Sequence, residues 1–78
     1  MMPRVTLDSA PLHVAHTVVA VDAPQDTLGR LTALGLRRGA VVSLVQELAS
    51  GSRVLSVGGG RLALGREVLA GLSAEVAA

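Results

Sequence analysis

Short runs of β-branched and aliphatic residues, separated by turn-forming residues, recur along most of the chain. Such runs are typical of strands, and strands are predicted at residues 13–21, 40–48, 53–57, 61–64 and 72–76. Residues 3–12 contain two prolines, which donate no ladder hydrogen bond, so an entry strand or extended arm followed by a turn is predicted there. Turns are predicted at residues 49–52 and 58–60, where serines and glycines interrupt the apolar pattern.

Leucines that recur every third residue predict one amphipathic helix at residues 27–34. Gly35 is the expected left-handed residue that ends this helix, which would position Leu36 to pack back on Leu31. One or two further helical turns are predicted at residues 65–71.

The order of these elements predicts a mainly β protein with a single domain at residues 1–78. Five or six short strands are joined by tight turns, with one helix inserted early and one short helix late. The chain has no alternation of strands with crossover helices and no internal repeat. Closure into a small SH3-like barrel is the architecture that best removes exposed sheet edges at this length.

Composition excludes several classes of function. The chain has no cysteine and no aromatic residue, which excludes a disulfide framework, thiol chemistry and aromatic stacking platforms for nucleic acid. Seven cations, all arginine, face six carboxylates, and a net charge of +1 does not indicate a polyanionic partner. No apolar run approaches the roughly 20 residues that span a bilayer, and the first eight residues lack a signal-like apolar block, so we expect no membrane insertion and a cytoplasmic location.

Two motifs resemble a known family. Residues 31–42 (LTALGLRRGAVV) look like the Leu-x-x-Leu-Gly-Leu-x-x-Gly-x-x-Val signature of the ferrous iron transport A (FeoA) proteins. Residues 60–67 (GRLALGRE) are similar to a second box of that family, and the resemblance covers about residues 9–76. It implies an SH3-like barrel with a helical insertion, and a role beside a large membrane GTPase and permease for ferrous iron.

His13 and His16 are the candidate metal ligands, and they are weak ones. Residues three apart in a regular strand point to opposite faces, so one ion could bind both only with a bulge or a second chain. Ordinary surface or half-buried histidines are the simpler interpretation, and no cofactor is expected.

The corner where the first helix meets the next strand is the candidate partner-binding site, with Leu34, Leu36, Arg37 and Arg38 as its residues. A short helix rich in leucine is difficult to bury completely against a small barrel, and arginine is favoured at protein interfaces. The serines, histidines and carboxylates show no spacing typical of a nucleophile and its base, so we expect no enzyme activity.

The function expected is that of a small cytosolic accessory protein of a ferrous iron uptake system. It would act by protein–protein contact with the cytosolic region of the membrane ferrous iron permease and GTPase. Two alternatives stay open: a standalone regulatory or adaptor SH3-like barrel of another system, including a metal-responsive one, and a small RNA- or ribosome-binding barrel. The low net charge and the missing aromatic residues argue against nucleic acid. Homo-oligomer formation and the sign of regulation stay open.

Overall fold

A computed structural model describes residues 3–77 of the chain. Its six strands are β1 (Arg4–Thr6), β2 (Ala15–Val21), β3 (Val41–Glu47), β4 (Arg53–Val57), β5 (Gly60–Leu64) and β6 (Leu72–Val76). Its two α-helices are α1 (Gln25–Ala33), inserted between β2 and β3, and α2 (Arg66–Ala70), between β5 and β6.

The strands form one antiparallel sheet in the order β1-β6-β2-β3-β4-β5, so the predicted mainly β, SH3-like architecture is confirmed. The predicted bounds of β4 and β6 match the structure. β2 begins two residues later than predicted, because His13 has a φ of 63° and lies in the turn that precedes the strand. Register shifts lie between Val18 and Ala20 in β2 and between Leu44 and Gln46 in β3. Such irregularities increase the local twist and help a short sheet to curl.

The β4–β5 connection shows how glycine shapes the barrel. Val57 and Gly60 are paired across the two strands, and Gly58 and Gly59 form the turn with φ values of 58° and 84°. A two-residue turn with two positive φ angles has the twist of the adjoining strands, and glycine adopts it without steric cost. Gly58 and Gly59 therefore form the predicted turn, whereas Gly60 is the first residue of β5.

The core is made of aliphatic side chains on alternate strand positions, as the absence of aromatic residues requires. In β4, Leu55 and Val57 point inward. The predicted leucine stripe of α1 is only partly buried: Leu31 enters the core, whereas Leu28 and Leu34 stay exposed. The fully or nearly buried apolar residues are Leu7, Ala10, Val18, Leu31, Leu36, Val42, Leu44, Leu55, Val57, Leu64, Leu69, Leu72 and Ala74.

Candidate protein-binding site

The C-terminal end of α1 has the geometry that the sequence predicted. Gly35 has a φ of +89°, and its N–H donates to the carbonyl of Thr32 at 3.0 Å. The N–H of Leu36 donates to the carbonyl of Leu31 at 2.8 Å. Together these bonds form a Schellman motif, which satisfies two free carbonyls and turns the chain away from the helix.

This turn sends the two leucines beside Gly35 in opposite directions. Leu36 is fully buried and joins the core with Leu31, whereas Leu34 remains 53% exposed. The expected partner-binding set therefore loses Leu36, because a side chain with no accessible surface cannot contact a partner. Leu36 instead anchors the corner to the barrel.

Arg37 and Arg38 lie on a turn that is tied to the sheet. Within the turn, the N–H of Ala40 donates to the carbonyl of Arg37 at 3.0 Å. The N–H of Gly39 donates to the Val18 carbonyl at 2.8 Å, and the N–H of Val18 donates to the Ala40 carbonyl at 2.9 Å. Both arginine side chains are exposed on this fixed backbone.

The two arginines border an open depression of about 540 Å³, to which Val41 also contributes. Val41 is 55% exposed at the start of β3, and the strand prediction alone did not mark it as a surface residue. Neither arginine forms an ion pair within residues 3–77. Leu34, Arg37, Arg38 and Val41 form what we call the corner, in which two exposed aliphatic side chains accompany two free guanidinium groups.

The two histidines lie in different environments. His13 is exposed in the turn before β2, and its backbone N–H donates to the Leu44 carbonyl at 2.7 Å. His16 is buried in β2, where its Nδ1–H donates to the Val14 carbonyl at 2.8 Å. Across residues 3–77, no three histidine, aspartate or glutamate side chains are grouped as metal ligands would be.

Arg53 is a buried polar residue that the sequence reasoning missed. Its side chain is nearly enclosed, and Nη1 donates to the carbonyls of Ala10 at 2.6 Å and Leu7 at 3.3 Å. Its Nε and Nη2 donate to Oε1 of Glu47 at 3.1 and 2.7 Å. Arg53 thereby ties the β1–β2 connection to β4. The signal was its position in RVLSV, in phase with the two inward residues Leu55 and Val57.

Neither helix within residues 3–77 has the length and apolar character needed to cross a membrane.

The sequence model of a family described as the FeoA domain matches residues 5–76. Among solved structures, an iron uptake regulatory protein, FeoA, is 23% identical to this chain. The match has a TM-score of 0.84 and covers 94% of this chain and 97% of that one.

Two further structures are similar. The FeoA protein from Chlorobium tepidum is 24% identical, with a TM-score of 0.87 over 95% of this chain and 71% of that one. FeoA of Stenotrophomonas maltophilia is 29% identical, with a TM-score of 0.73 over 87% of this chain and 86% of that one. That protein was crystallised with zinc and is described as an SH3 domain protein and a candidate activating factor for bacterial ferrous iron transport. No curated protein matches this chain significantly.

Proposed function

Because the chain belongs to the FeoA family, whose members are small proteins associated with ferrous iron transport, we propose that it is an accessory component of a ferrous iron uptake system. It works in the cytoplasm, and its output is contact with the cytosolic region of the membrane GTPase and permease. The contact adjusts iron uptake or nucleotide hydrolysis by the permease.

The corner is the observation that carries this proposal. An exposed leucine that becomes fully buried on binding contributes about 1.5–3 kcal/mol of hydrophobic free energy. Leu34 and Val41 are 53% and 55% exposed, so each can supply about half of that amount, and Arg37 and Arg38 can pair bidentately with carboxylates on the partner. The Schellman motif and the tied turn hold the backbone of these residues in place before binding, so the ordering cost on this side of the interface falls on the side chains alone.

We place no catalytic step in this chain. The two polar residues of the core, His16 and Arg53, already bond to backbone carbonyls, and Arg53 also bonds to Glu47. Every buried side-chain nitrogen or oxygen within residues 3–77 has a hydrogen-bond partner. These observations favour recognition over chemistry as the function of the domain.

The proposal is tested by the affinity of the purified protein for the permease's cytosolic domain, compared among three proteins. These are the wild type, Arg37→Ala/Arg38→Ala, and the matched control Arg4→Ala/Arg61→Ala. Both pairs remove two exposed arginines and change the net charge equally. Exposed substitutions of this kind should change stability by no more than about 0.5 kcal/mol per site.

We expect the corner pair to weaken binding and the control pair to leave it nearly unchanged. Raising the salt concentration should weaken the wild-type complex, because ions screen contacts at an interface rim. Equal binding by all three proteins would remove the corner arginines from the interface. Absence of permease binding together with salt-dependent retention of RNA would contradict the proposal and favour a nucleic-acid partner.

A further inference from the structure

A groove lies between α1 and α2, beside the corner. It consists of two depressions of about 230 and 240 Å³, both lined by Thr27 and Val68. Nearly buried Leu31 and Leu64 line the second depression, and exposed Leu34 stands at its rim. We call this feature the interhelical groove, and its Leu34 side continues directly into the corner.

The two ends of the interhelical groove differ in charge. Asp22 and Glu67 border the first depression, whereas Arg30 borders the second. The N–H of Asp22 donates to the Gly71 carbonyl at 2.8 Å, which holds the end of β2 against the end of α2. All three charged side chains are exposed, and none of them forms an ion pair within residues 3–77. Their charges are therefore available to a bound molecule, and they favour one orientation of it.

Interface size also indicates that binding extends beyond the corner. A standard protein–protein interface buries about 800 Å² on each partner. The whole chain has an accessible surface of 4721 Å², so such an interface would cover about a sixth of it. The four side chains of the corner are too few for that area, and the interhelical groove is the concave apolar surface next to them.

We propose that the interhelical groove binds a short segment of a partner protein with a defined charge order. The segment carries a cationic side chain beside Asp22 and Glu67 and an aliphatic side chain over Leu31 and Leu64. An acidic side chain follows beside Arg30. This inference rests on the proposed function in one respect, that the domain works by protein contact, and it adds the chemistry and the orientation of the bound segment.

The first experiment needs no knowledge of the partner. A displayed library of short random peptides is selected on the wild-type protein, and the strongest binders are titrated into labelled protein and followed by amide chemical shifts. We expect a consensus in which an aliphatic residue lies between a cationic and an acidic residue, in either chain direction, with shifts centred on Thr27 and Val68. Binders without this charge order, binders whose shifts lie elsewhere, or no enrichment would overturn the inference.

The second experiment uses the permease's cytosolic domain as the probe. Asp22→Asn/Glu67→Gln is compared with Asp8→Asn/Glu75→Gln, which removes the same charge outside the groove. We expect about threefold to tenfold weaker binding for the groove pair and near wild-type binding for the control. Equal binding by both pairs would overturn the groove inference and leave the proposed function standing. If the wild type does not bind the permease domain, the proposed function fails, and the peptide selection alone decides the groove inference.

Discussion

Gly29→Ala and Gly35→Ala each add one methyl group, and we expect them to change the stability of the protein in opposite directions. Gly29 lies inside α1, and a Cβ placed there would have no atom within 4 Å apart from its chain neighbours and the backbone of its own helix. Gly35 follows the helix with a φ of +89°, and a Cβ there would lie 3.9 Å from Cγ2 of Val57. Both positions have room for the methyl group, so backbone conformation alone distinguishes Gly29→Ala from Gly35→Ala.

The expected magnitudes follow from that difference. Gly29→Ala should stabilise the protein by about 1 kcal/mol, because alanine loses less backbone freedom than glycine when it enters a helix. Gly35→Ala should destabilise it by about 1–2 kcal/mol, because an L-residue in the left-handed region brings its Cβ close to the carbonyl oxygen. Gly35→Val should cost about 1–3 kcal/mol for the same strain.

Urea and thermal unfolding monitored by backbone circular dichroism are suitable assays, since the chain has no aromatic residue for fluorescence. For a domain of this size, 1 kcal/mol shifts Tm by about 4–8 °C, so the two alanine variants should differ by about 10 °C or more. A Gly35→Ala midpoint at or above that of the wild type would refute the left-handed end of the helix. An unfolding midpoint of Gly29→Ala below that of the wild type would refute the claim that Gly29 lies in a helix with room for a methyl group.

Four further predictions concern close packing, the hydrogen bonds of buried Arg53 and metal binding. Gly71→Ala should lower the free energy of unfolding by about 1–3 kcal/mol, measured by urea unfolding, because its Cβ would collide with the Asp22 carbonyl oxygen. Arg53→Met should cost about 1–3 kcal/mol by leaving buried carbonyls unpaired. Glu47→Gln should lower the free energy of unfolding by less than about 1 kcal/mol, because its carboxylate is half exposed. Equal losses of stability in Arg53→Met and Glu47→Gln would contradict this ranking. Calorimetric titration with ferrous iron or zinc should give no stoichiometric micromolar site in the monomer, and a site that His13→Ala abolishes would contradict this.

Local patterns were sufficient for most of the fold because each element carries its own signal. The alternation in β4 reflects which side chains face the core, and the leucine spacing located α1, although only Leu31 of that stripe is buried. Gly35 was predictable as the end of the helix because glycine is the residue that adopts a left-handed turn most readily.

The burial of Leu36 was predicted only in part, since Leu36 was expected to pack back on Leu31 and was also placed in the partner-binding set. Helical spacing alone places Leu34 on the same stripe as Leu31. The Schellman turn instead delivers Leu36 to the core and leaves Leu34 at the surface. The site prediction therefore included one residue, Leu36, that is fully buried, and the role of the other three stays a prediction.

The features that could not be predicted from the sequence depend on contacts between segments that are distant along the chain. The carbonyls that Arg53 binds are 43 and 46 residues away in sequence, in Ala10 and Leu7. No local pattern identifies these two carbonyls as the partners of Arg53. The position of Arg53 in phase with Leu55 and Val57 indicates only that its side chain faces the core. The interhelical groove likewise depends on the approach of α1 to α2, which the periodicity of either helix leaves undefined.

The central claim is that this domain supports ferrous iron uptake through contacts made by the corner. The most direct measurement is the rate of ferrous iron uptake in cells that retain the permease and lack the native protein. Wild type and Arg4→Ala/Arg61→Ala should restore uptake, whereas Arg37→Ala/Arg38→Ala, present at the same cellular level, should restore it poorly. Full restoration by the corner pair, or uptake that is the same with and without the wild-type protein, would contradict the account.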